Sequence, residues 1–459
     1  MIGILAGQLE SPYSAQIGRA AAQRVLDAGH HVVTFTGGFP SAPLFRGPDD
    51  SAAIPGALSG FIVLTPSLRD FGSELARLIA QTATPVVSIG SELANASCVT
   101  PDDETGVLRA MGHLVKEHGC RSIAFLAGPE GSHDGSRRLS AYRAALDALG
   151  LRWDPTLVAR GDYEASSGQA AVNRLRQQSS QRFDGLMASN DLMAIGAMDR
   201  LRALHVRVPE DVRVVGFDDS DEAYFASPGL TTVRQPIAEQ GVCAADMLLK
   251  RLSRGELPLE SASIATPVIV RQSCGCPKVA PRRSSEPPED RELVDEVVRG
   301  VVRRQMAAMR VRRELCHLAD ALIGAPSLTE LAGTMTQVLK LLGARRMLLC
   351  RYGASFADAR VVLESRGSDV VQRNEARAFP VGAVLPEGFL DPRQPSHLRI
   401  EPLELARERL GYLVLELQST EDPVPLELRH LLSSALGRIG LVDELRRMYA
   451  GVRKRAESA

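Results

Sequence analysis

Between Met1 and Leu252 the chain alternates short apolar segments with amphipathic helices, and this alternation restricts it to an α/β fold. The predicted strands are Ile2–Ala6, Val32–Phe35, Phe61–Thr65, Pro85–Ile89, Ile123–Ala127, Gly185–Ala188 and Val212–Phe217. Short apolar strands separated by helices are typical of parallel sheets that are covered on both faces. Two such series in succession predict two lobes with doubly wound parallel sheets rather than one barrel.

Composition and charge exclude several classes of protein. The 459 residues are 44% hydrophobic and 24% charged, and the net charge of −1 does not suit a chain that coats nucleic acid or an anionic membrane. No apolar run reaches the ~18 residues that a membrane span needs. The segment Met1–Gly7 lacks the basic start of a signal peptide. We therefore expect a cytoplasmic protein with no membrane partner.

A change of composition after Cys276 predicts a domain boundary. Pro277–Asp290 is rich in proline and serine, as linkers are, and Glu292–Leu322 reads as one long helix. Beyond Ser327 two helical patterns enclose strand-like segments. The predicted segments are a two-lobed domain over 1–276, a linker and helix over 277–325, and a smaller α+β domain over 326–459.

The last predicted helix, Leu426–Met448, carries apolar residues at heptad-like spacing. They are Leu428, Leu432, Ala435, Ile439 and Val442. A second stripe, on the preceding long helix, consists of Val311, Leu315, Leu318 and Leu322. An apolar helix stripe has to be covered. We expect the same helix of a second copy to cover this stripe in a symmetric homodimer, and the sheet of its own domain is the alternative.

Polar residues follow the strands in the places where open α/β sheets bind ligands. Asn190 and Asp218 come directly after predicted strands, and Arg138 lies near the start of a helix that follows Ile123–Ala127. Asparagine and aspartate are also ordinary helix N-caps. Position alone therefore leaves both roles open.

Several motifs in this part of the chain resemble the ligand-binding domain of the LacI/GalR family of repressors. Ala188–Met198 is similar to the pattern ANDxxAxGA, and Arg138–Leu146 is similar to RxxGYxxAL with Ala141 in the glycine place. Three further segments match motifs of this family in the same order along the chain: Asp102–Gly106, Val208–Asp219 and Pro228–Pro236. The resemblance covers nearly all of residues 1–275. It implies a two-lobed, periplasmic-binding-protein-like sensor.

The resemblance also implies which residues bind the ligand. In the second lobe these are Arg138, Asn190, Asp218 and Gln235. In the first lobe, Gln8 and Tyr13, with Glu10 nearby, lie in the corresponding loop and are predicted by their position, since they match no firm motif. A carboxylate, an amide and a guanidinium together suit a small polar solute such as a sugar or polyol. The resemblance implies no catalytic residue, no metal and no cofactor. It places the crossovers between lobes near Val99–Pro101, Arg234–Pro236 and Leu259–Ala262.

Two departures from the family pattern affect the predicted function. Met1 starts directly at the first strand, where the family has a DNA-reading helix-turn-helix before the sensor, so we expect no direct DNA contact. Gly90 stands where many members carry an acid, which weakens the prediction of a sugar ligand. The predicted protein is a transcriptional or signalling regulator that acts by ligand-induced lobe closure. Its output then requires a partner protein or a DNA-binding partner.

The remaining features leave other functions open. Residues 326–459 resemble a GAF-type sensory module in Leu328–Leu342, Met347–Cys350, Leu410–Leu415 and Leu431–Leu436. A solute-binding protein of a transport system and an enzyme on the same scaffold are the alternatives, although no catalytic pattern supports the enzyme. Cys274-Gly275-Cys276 suggests metal or redox chemistry, but the sequence near it offers no second pair of ligands. The arginines of the long helix are typical of a solvated face.

Overall fold

The computed structural model divides into two compact units. It describes residues 1–7, 9, 11–37, 42–45, 55–66, 68, 72–178, 182–255, 258–277, 289–373, 378–406, 408–420 and 424–457, with side chains left out at 12, 72, 289–305, 447 and 451–457. The first unit comprises residues 1–99, 237–261 and 288–459, and the second comprises 100–236 and 262–287. The three boundaries at 99/100, 236/237 and 261/262 confirm the predicted crossovers. The predicted Gln8 and its neighbour Glu10 lie outside the described residues.

The strands and helices follow the alternation of the sequence. The strands are β1 (Ile2–Ala6), β2 (Val32–Thr36), β3 (Gly60–Leu64), β4 (Val86–Ile89), β5 (Ser97–Pro101), β6 (Ile123–Ala127), β7 (Val158–Arg160), β8 (Gly185–Ala188), β9 (Arg213–Asp218), β10 (Thr231–Arg234), β11 (Ser261–Ile264), β12 (Val268–Ile269), β13 (Arg346–Tyr352), β14 (Asp358–Arg366), β15 (Asp369–Gln372), β16 (Ala378–Pro380), β17 (His397–Leu405) and β18 (Glu408–Leu417). The helices are α1 (Pro12–Asp27), α2 (Gly72–Gln81), α3 (Asp103–Lys116), α4 (His133–Ala148), α5 (Ala165–Gln178), α6 (Asp191–Ala203), α7 (Asp221–Phe225), α8 (Ile237–Arg254), α9 (Glu289–Gly324), α10 (Leu328–Leu342) and α11 (Leu426–Glu457).

The second unit is a doubly wound sheet of six strands in the order β12-β10-β9-β8-β6-β7. All neighbouring strands are parallel except β10 and β12. Successive residues of β9 face opposite sides: Val214 packs with α5 and α6, whereas Val215 packs with α3 and α4. Because both faces are covered by helices, the central strands β6 and β8 are apolar throughout, as the sequence predicts.

The first unit has a sheet in which parallel and antiparallel parts are continuous. Within this unit its order is β5-β4-β3-β1-β2-β17-β18-β13-β14-β15, and β16 pairs with β14. The two parts join where β17 runs parallel to β2, with His397 opposite Val32. One apolar core spans the join and includes Phe35, Ile400 and Val414. The sheet built from residues 346–417 therefore shares a core with the strands near the N-terminus.

The sequence analysis did not predict strand β17, because this strand carries buried polar residues. Arg399 and Glu401 are both buried and form an ion pair at 2.6 Å. His397, also buried, lies with its Nε2 atom 3.0 Å from the Thr34 hydroxyl. Buried polar groups are tolerated when they have partners inside the protein. The polar composition of β17 thus reflects pairing within the structure and not exposure.

The apolar stripe of α11 is covered by its own chain. Leu428, Leu432, Ala435 and Ile439 are buried in a core that also contains residues of α9, α10 and the antiparallel sheet. The prediction that these four residues pair with a second copy is therefore wrong, because the core of their own chain already buries them. The stripe on α9 lies in the same core, where Leu318 is partly buried. None of the described helices combines the length and apolarity that a bilayer crossing requires.

Acid should destabilise the join between β2 and β17. Burial, followed by the charge of Arg399, lowers the pKa of His397 to about 4, and its buried Nδ1 atom has no hydrogen-bond partner among the described residues. For a histidine whose pKa in the folded state lies below the unfolded value of about 6.5, the fold is most stable above pH 6.5, where the imidazole is neutral in both states. This stability is lost as the pH falls from about 6.5 to about 4, and the loss reaches roughly 3 kcal/mol.

The measurement is urea unfolding at pH 7, 5 and 4 of the natural protein and of His397→Gln. The substitution should reduce the acid-induced loss of unfolding free energy. The matched control is His430→Gln, at an exposed histidine of α11, which should leave the loss unchanged. Equal acid sensitivity in all three proteins would show that His397 does not titrate during unfolding.

Candidate functional site

Four predicted ligand-binding residues lie at one end of the six-stranded sheet. Asp218 ends β9, Gln235 directly follows β10, and Asn190 follows β8 by two residues. Arg138 lies in α4, the helix after β6. These strands are parallel neighbours, so their carboxyl ends meet at the same edge. This topology explains why residues far apart in the sequence come together.

Arg138, Asp218 and Gln235 form a connected polar cluster. The Gln235 side-chain amide donates to Asp218 Oδ1 at 2.6 Å, and Arg138 Nη1 lies 3.7 Å from the same oxygen. Arg138 Nη1 also donates to the Ser189 carbonyl at 2.6 Å, and its guanidinium lies 3.8 Å from the centre of the Phe217 ring. Arg138 is buried, whereas the Asp218 side chain is 28% exposed. The carboxylate is therefore held by the protein on one side and open on another.

Two acceptors in this region are buried without a hydrogen-bond partner. They are Gln235 Oε1 and the hydroxyl oxygen of Ser189, and this statement concerns the described part of the chain. An unpaired buried polar group costs ~1–3 kcal/mol, so native structures rarely leave one without a reason. A donor group on a bound molecule would satisfy Gln235 Oε1.

Asn190 is the N-cap of α6, which is one of the two roles that its position in the sequence left open. Its Oδ1 accepts from the backbone N–H of Met193 at 3.1 Å at the start of α6, and its Nδ2 donates to the Tyr163 carbonyl at 2.9 Å. Both ends of the amide thus already bind the protein. Its predicted contact with a ligand stays a prediction, since each end has further hydrogen-bonding capacity.

The backbone at the end of β9 is in an unusual conformation. Asp218 has φ of 122° and Asp219 has φ of 60°, in a region that side chains other than glycine rarely occupy. Asp219 is fixed by ion pairs with Arg234 at 2.7 Å and with Arg271 at 2.5 Å. Strain of this kind costs ~1–3 kcal/mol and persists where surrounding contacts over-determine the conformation, often at functional sites.

Two buried carboxylates that the sequence analysis did not select support the cluster. Asp103, in the first turn of α3, accepts from Arg137 Nε at 2.9 Å and lies 3.4 Å from Arg138 Nε. Asp191 accepts from the Thr232 hydroxyl at 2.6 Å and from the Ser220 N–H at 2.8 Å. The run Asp102-Asp103-Glu104 is the one sequence signal that pointed to Asp103. Asp191 looked like an ordinary residue of a helix start.

Charge and burial shift the protonation of this cluster. Burial alone would lower the pKa of Arg138, but the carboxylates of Asp103 and Asp218 raise it above its ordinary value. Burial raises the pKa of Asp218, although Arg138 and Gln235 act against that rise. Burial and the nearby Asp218 also raise the pKa of Asp191. Gly216 is required here because a Cβ atom at this position would overlap the Asp191 carboxylate.

The first unit provides one described residue of the predicted set. Tyr13 lies in the first turn of α1 and is half-buried. Its predicted role in binding a ligand stays a prediction. The described contacts thus connect Arg138, Asp218 and Gln235 directly and Asn190 through its neighbour Ser189.

Removing the Asp103 carboxylate should destabilise the second unit strongly. Asp103→Ala leaves the buried Arg138 guanidinium without one of its two carboxylates and removes the carboxylate that pairs with Arg137. Losing one partner of a buried pair costs ~3–5 kcal/mol. Guanidinium-chloride unfolding should show a loss of this size, whereas Glu104→Ala, at the exposed neighbouring position, should change stability little. Equal stability of both variants would contradict this role of Asp103.

Comparisons with known proteins agree on the region that contains this cluster. A family model described as periplasmic binding protein-like domain matches residues 112–274. The HTH-type transcriptional regulator CelR of Thermobifida fusca is 37% identical over 203 residues, which are 43% of this chain and 59% of CelR. The ribose operon repressor of Halalkalibacterium halodurans is 25% identical over 274 residues, which are 60% of this chain and 79% of that protein.

Solved structures show the same similarity. A CelR–cellobiose complex superposes with a TM-score of 0.51 and 30% identity, over 59% of this chain and 84% of the other. A LacI-family regulatory protein from Chloroflexus aggregans superposes with a TM-score of 0.51 and 25% identity, over 60% of this chain and 98% of the other. The chain spans 59% of CelR and 58% of the PurR repressor of Vibrio atlanticus, so the match covers part of these regulators.

Proposed function

Because this chain carries a periplasmic-binding-protein-like sensor domain of the LacI family, we propose that it is a regulator that binds a small hydroxyl-rich solute. The supporting observation is Gln235 Oε1, buried without a partner beside Asp218 and Arg138. A sugar or polyol offers several hydroxyl donors close together. One hydroxyl can donate to Gln235 Oε1 while another donates to the Asp218 carboxylate.

The arrangement favours a neutral hydroxyl ligand over an anion. Asp218 and Asp103 both lie against Arg138, so the positive charge is already balanced by carboxylates. An anionic ligand would be repelled by the partly exposed Asp218 carboxylate, since one guanidinium faces two carboxylates here. A hydroxyl instead donates to the carboxylate and can accept from the Arg138 fork. CelR, with its cellobiose complex, and the ribose operon repressor are relatives whose names refer to sugars.

Specificity would come from the cost of leaving these groups unpaired. A solute that lacks a hydroxyl opposite Gln235 Oε1 or Asp218 buries an acceptor without a donor. Sites built on such groups discriminate strongly against the deficient analogue. The Asp219 carboxylate forms ion pairs with Arg234 and Arg271, which helps to keep the neighbouring Asp218 in place before binding. Preorganisation of this kind lowers the entropic cost of binding.

Binding would regulate by shifting the population of conformations that differ in affinity for the solute. The relatives are HTH-type transcriptional regulators, so transcription is the process that we propose it controls, through an output protein or a DNA-binding partner. We also propose the division into a sensor over 1–276, a linker over 277–325 and a GAF-like domain over 326–459. The antiparallel sheet β18-β13-β14-β15 with α10 and the closing α11 supports a GAF-like domain.

Asp218→Ala should abolish solute binding and leave the protein folded, because Asp218 is the more exposed and more distant of the two carboxylates and Asp103 still pairs with Arg138. A thermal-shift screen of sugars and polyols, including cellobiose and ribose, identifies a ligand, which at 100 times its Kd stabilises the natural protein by ~2.7 kcal/mol. Calorimetry then compares the variant with the natural protein. Losing a buried charged partner costs ~2–5 kcal/mol of binding free energy, a factor of at least tenfold in Kd.

The matched control for that experiment is Asp199→Ala. Asp199 is an exposed carboxylate of α6, paired with Arg202 on the helix surface. The Asp199→Ala variant should bind the solute with the same affinity as the natural protein. If Asp218→Ala binds the solute as tightly as the natural protein does, Asp218 is not part of the site. If no hydroxyl-rich compound stabilises the protein in the screen, the proposed ligand class is wrong.

We propose that the protein forms a homodimer through the end of α11. Leu441, Leu445 and Met448 are exposed and recur at 4-3 spacing beyond the part of the helix that its own chain covers. A second copy of the same helix, related by a two-fold axis, covers such a stripe with an identical one. Val442 is half-buried at the edge between the covered and exposed parts.

Leu441→Glu with Leu445→Glu should convert the dimer to a monomer. Charges placed in a helix seam repel each other and cannot be buried cheaply. Sedimentation equilibrium of the intact chain at micromolar concentration is the measurement. Leu259→Glu, at an exposed leucine outside this helix, should leave the assembly unchanged. A monomeric natural protein, or a double variant that still dimerises, would exclude this interface.

A further inference from the structure

Two cysteines and two histidines of the second unit gather into one cluster. His113 lies in the last turn of α3 and His118 follows that helix, while Cys274 and Cys276 lie in a turn after β12. Their ligand atoms are the two histidine Nε2 atoms and the two Sγ atoms, and all four lie within 4.8 Å of one another. The cluster is separate from the Arg138–Asp218–Gln235 cluster and shares no residue with it.

The measured spacing matches that of a tetrahedral metal site. The two Nε2 atoms are 3.3 Å apart, and the nitrogen–sulfur distances are 3.3 Å for His113–Cys274, 3.4 Å for His118–Cys276 and 3.6 Å for His113–Cys276. Tetrahedral zinc with bonds of ~2.0–2.1 Å to nitrogen and ~2.3 Å to sulfur requires edges of about 3.3 Å between nitrogens and about 3.6 Å between nitrogen and sulfur. The side chains are thus already at coordination distance.

The local structure holds these side chains in place. Cys274 is buried, and the Thr231 hydroxyl donates to its Sγ at 3.1 Å. Gly275 has φ of 103°, a conformation that favours glycine and that turns the chain between the two thiols. His113, His118 and Cys276 are half-buried, so an ion from solvent can reach them. A partner that orients a ligand atom from behind is common in metal sites.

We propose that His113, His118, Cys274 and Cys276 bind one Zn²⁺ ion in tetrahedral coordination. Two thiolates and two neutral imidazoles form a ligand set that zinc uses in closed structural sites. Their two negative charges balance the ion. Binding requires both thiols to lose their protons, so affinity falls as the pH falls. The ion would fasten the segment from Cys274 to Cys276 to the end of α3.

The test uses the full chain without an affinity tag. Metal is removed with a chelator, and Zn²⁺ or Co²⁺ is returned in known amounts under reducing conditions. Bound zinc is measured by elemental analysis, and Co²⁺ reports tetrahedral geometry and thiolate ligation through its absorption spectrum. The natural protein should bind one ion per chain, with thiolate-to-cobalt charge transfer and a higher melting temperature.

Cys276→Ser and His118→Gln should weaken metal binding at least tenfold and remove the zinc-dependent rise in melting temperature. Both residues are only half-buried, and circular dichroism confirms that the variants fold. The control is Cys316→Ser, which removes an exposed thiol of α9 and should bind one ion. Binding of less than one ion by the natural protein, or equal binding by folded Cys276→Ser and His118→Gln, would overturn the proposal. Isolation of the native protein metal-free with a Cys274–Cys276 disulfide would also overturn it.

Discussion

The candidate site depends on a buried positive charge, the guanidinium of Arg138. Placing such a charge inside a protein is costly unless it is paired and hydrogen-bonded. Asp103 and Asp218 lie on either side of it, the Ser189 carbonyl accepts from it and the Phe217 ring faces it. These partners come from three places in the fold: the start of α3, the loop after β8 and the end of β9. The charge therefore fixes several loops relative to one another before any solute arrives.

The parallel topology of the second unit brings these partners together. β8, β9 and β10 lie near one another in the same sheet and end at the same edge, so Asn190, Asp218 and Gln235 follow from the strand order. Their different roles follow from local geometry. Asn190 is occupied as a helix cap, whereas Gln235 Oε1 has no partner among the described residues. The same edge thus supplies both structural and free hydrogen-bonding groups.

Much of this organisation could be predicted from the sequence. Seven strands of the first 236 residues were visible as apolar runs, whereas β5, β7 and β10 were not predicted, and the crossovers between units followed from the family resemblance. Arg138, Asp218 and Gln235 were identified through the family motifs, and the structure connects them by hydrogen bonds and charge. Asp103 and Asp191 were missed because a buried acid near a helix start has the same sequence pattern as an exposed cap.

The remaining features depend on contacts between distant parts of the chain. β17 looked polar because Arg399 and Glu401 pair with each other inside the sheet. The cysteines of the Cys-Gly-Cys motif had no partners within reach in sequence, yet His113 lies 3.3 Å from Cys274 across a separation of 161 residues. The coverage of the α11 stripe likewise required the positions of α9 and α10. Periodicity shows that a face must be covered, but it does not show by what.

The central claim is that the edge formed by the ends of β8, β9 and β10 binds a hydroxyl-rich solute. Hydrogen-exchange mass spectrometry with and without a solute found by screening tests it directly. The account predicts slower exchange in three separate segments, 188–191, 216–219 and 234–236, in the presence of the solute. Protection confined to other segments, such as the sheet of residues 346–417, with no change in those three, would contradict it.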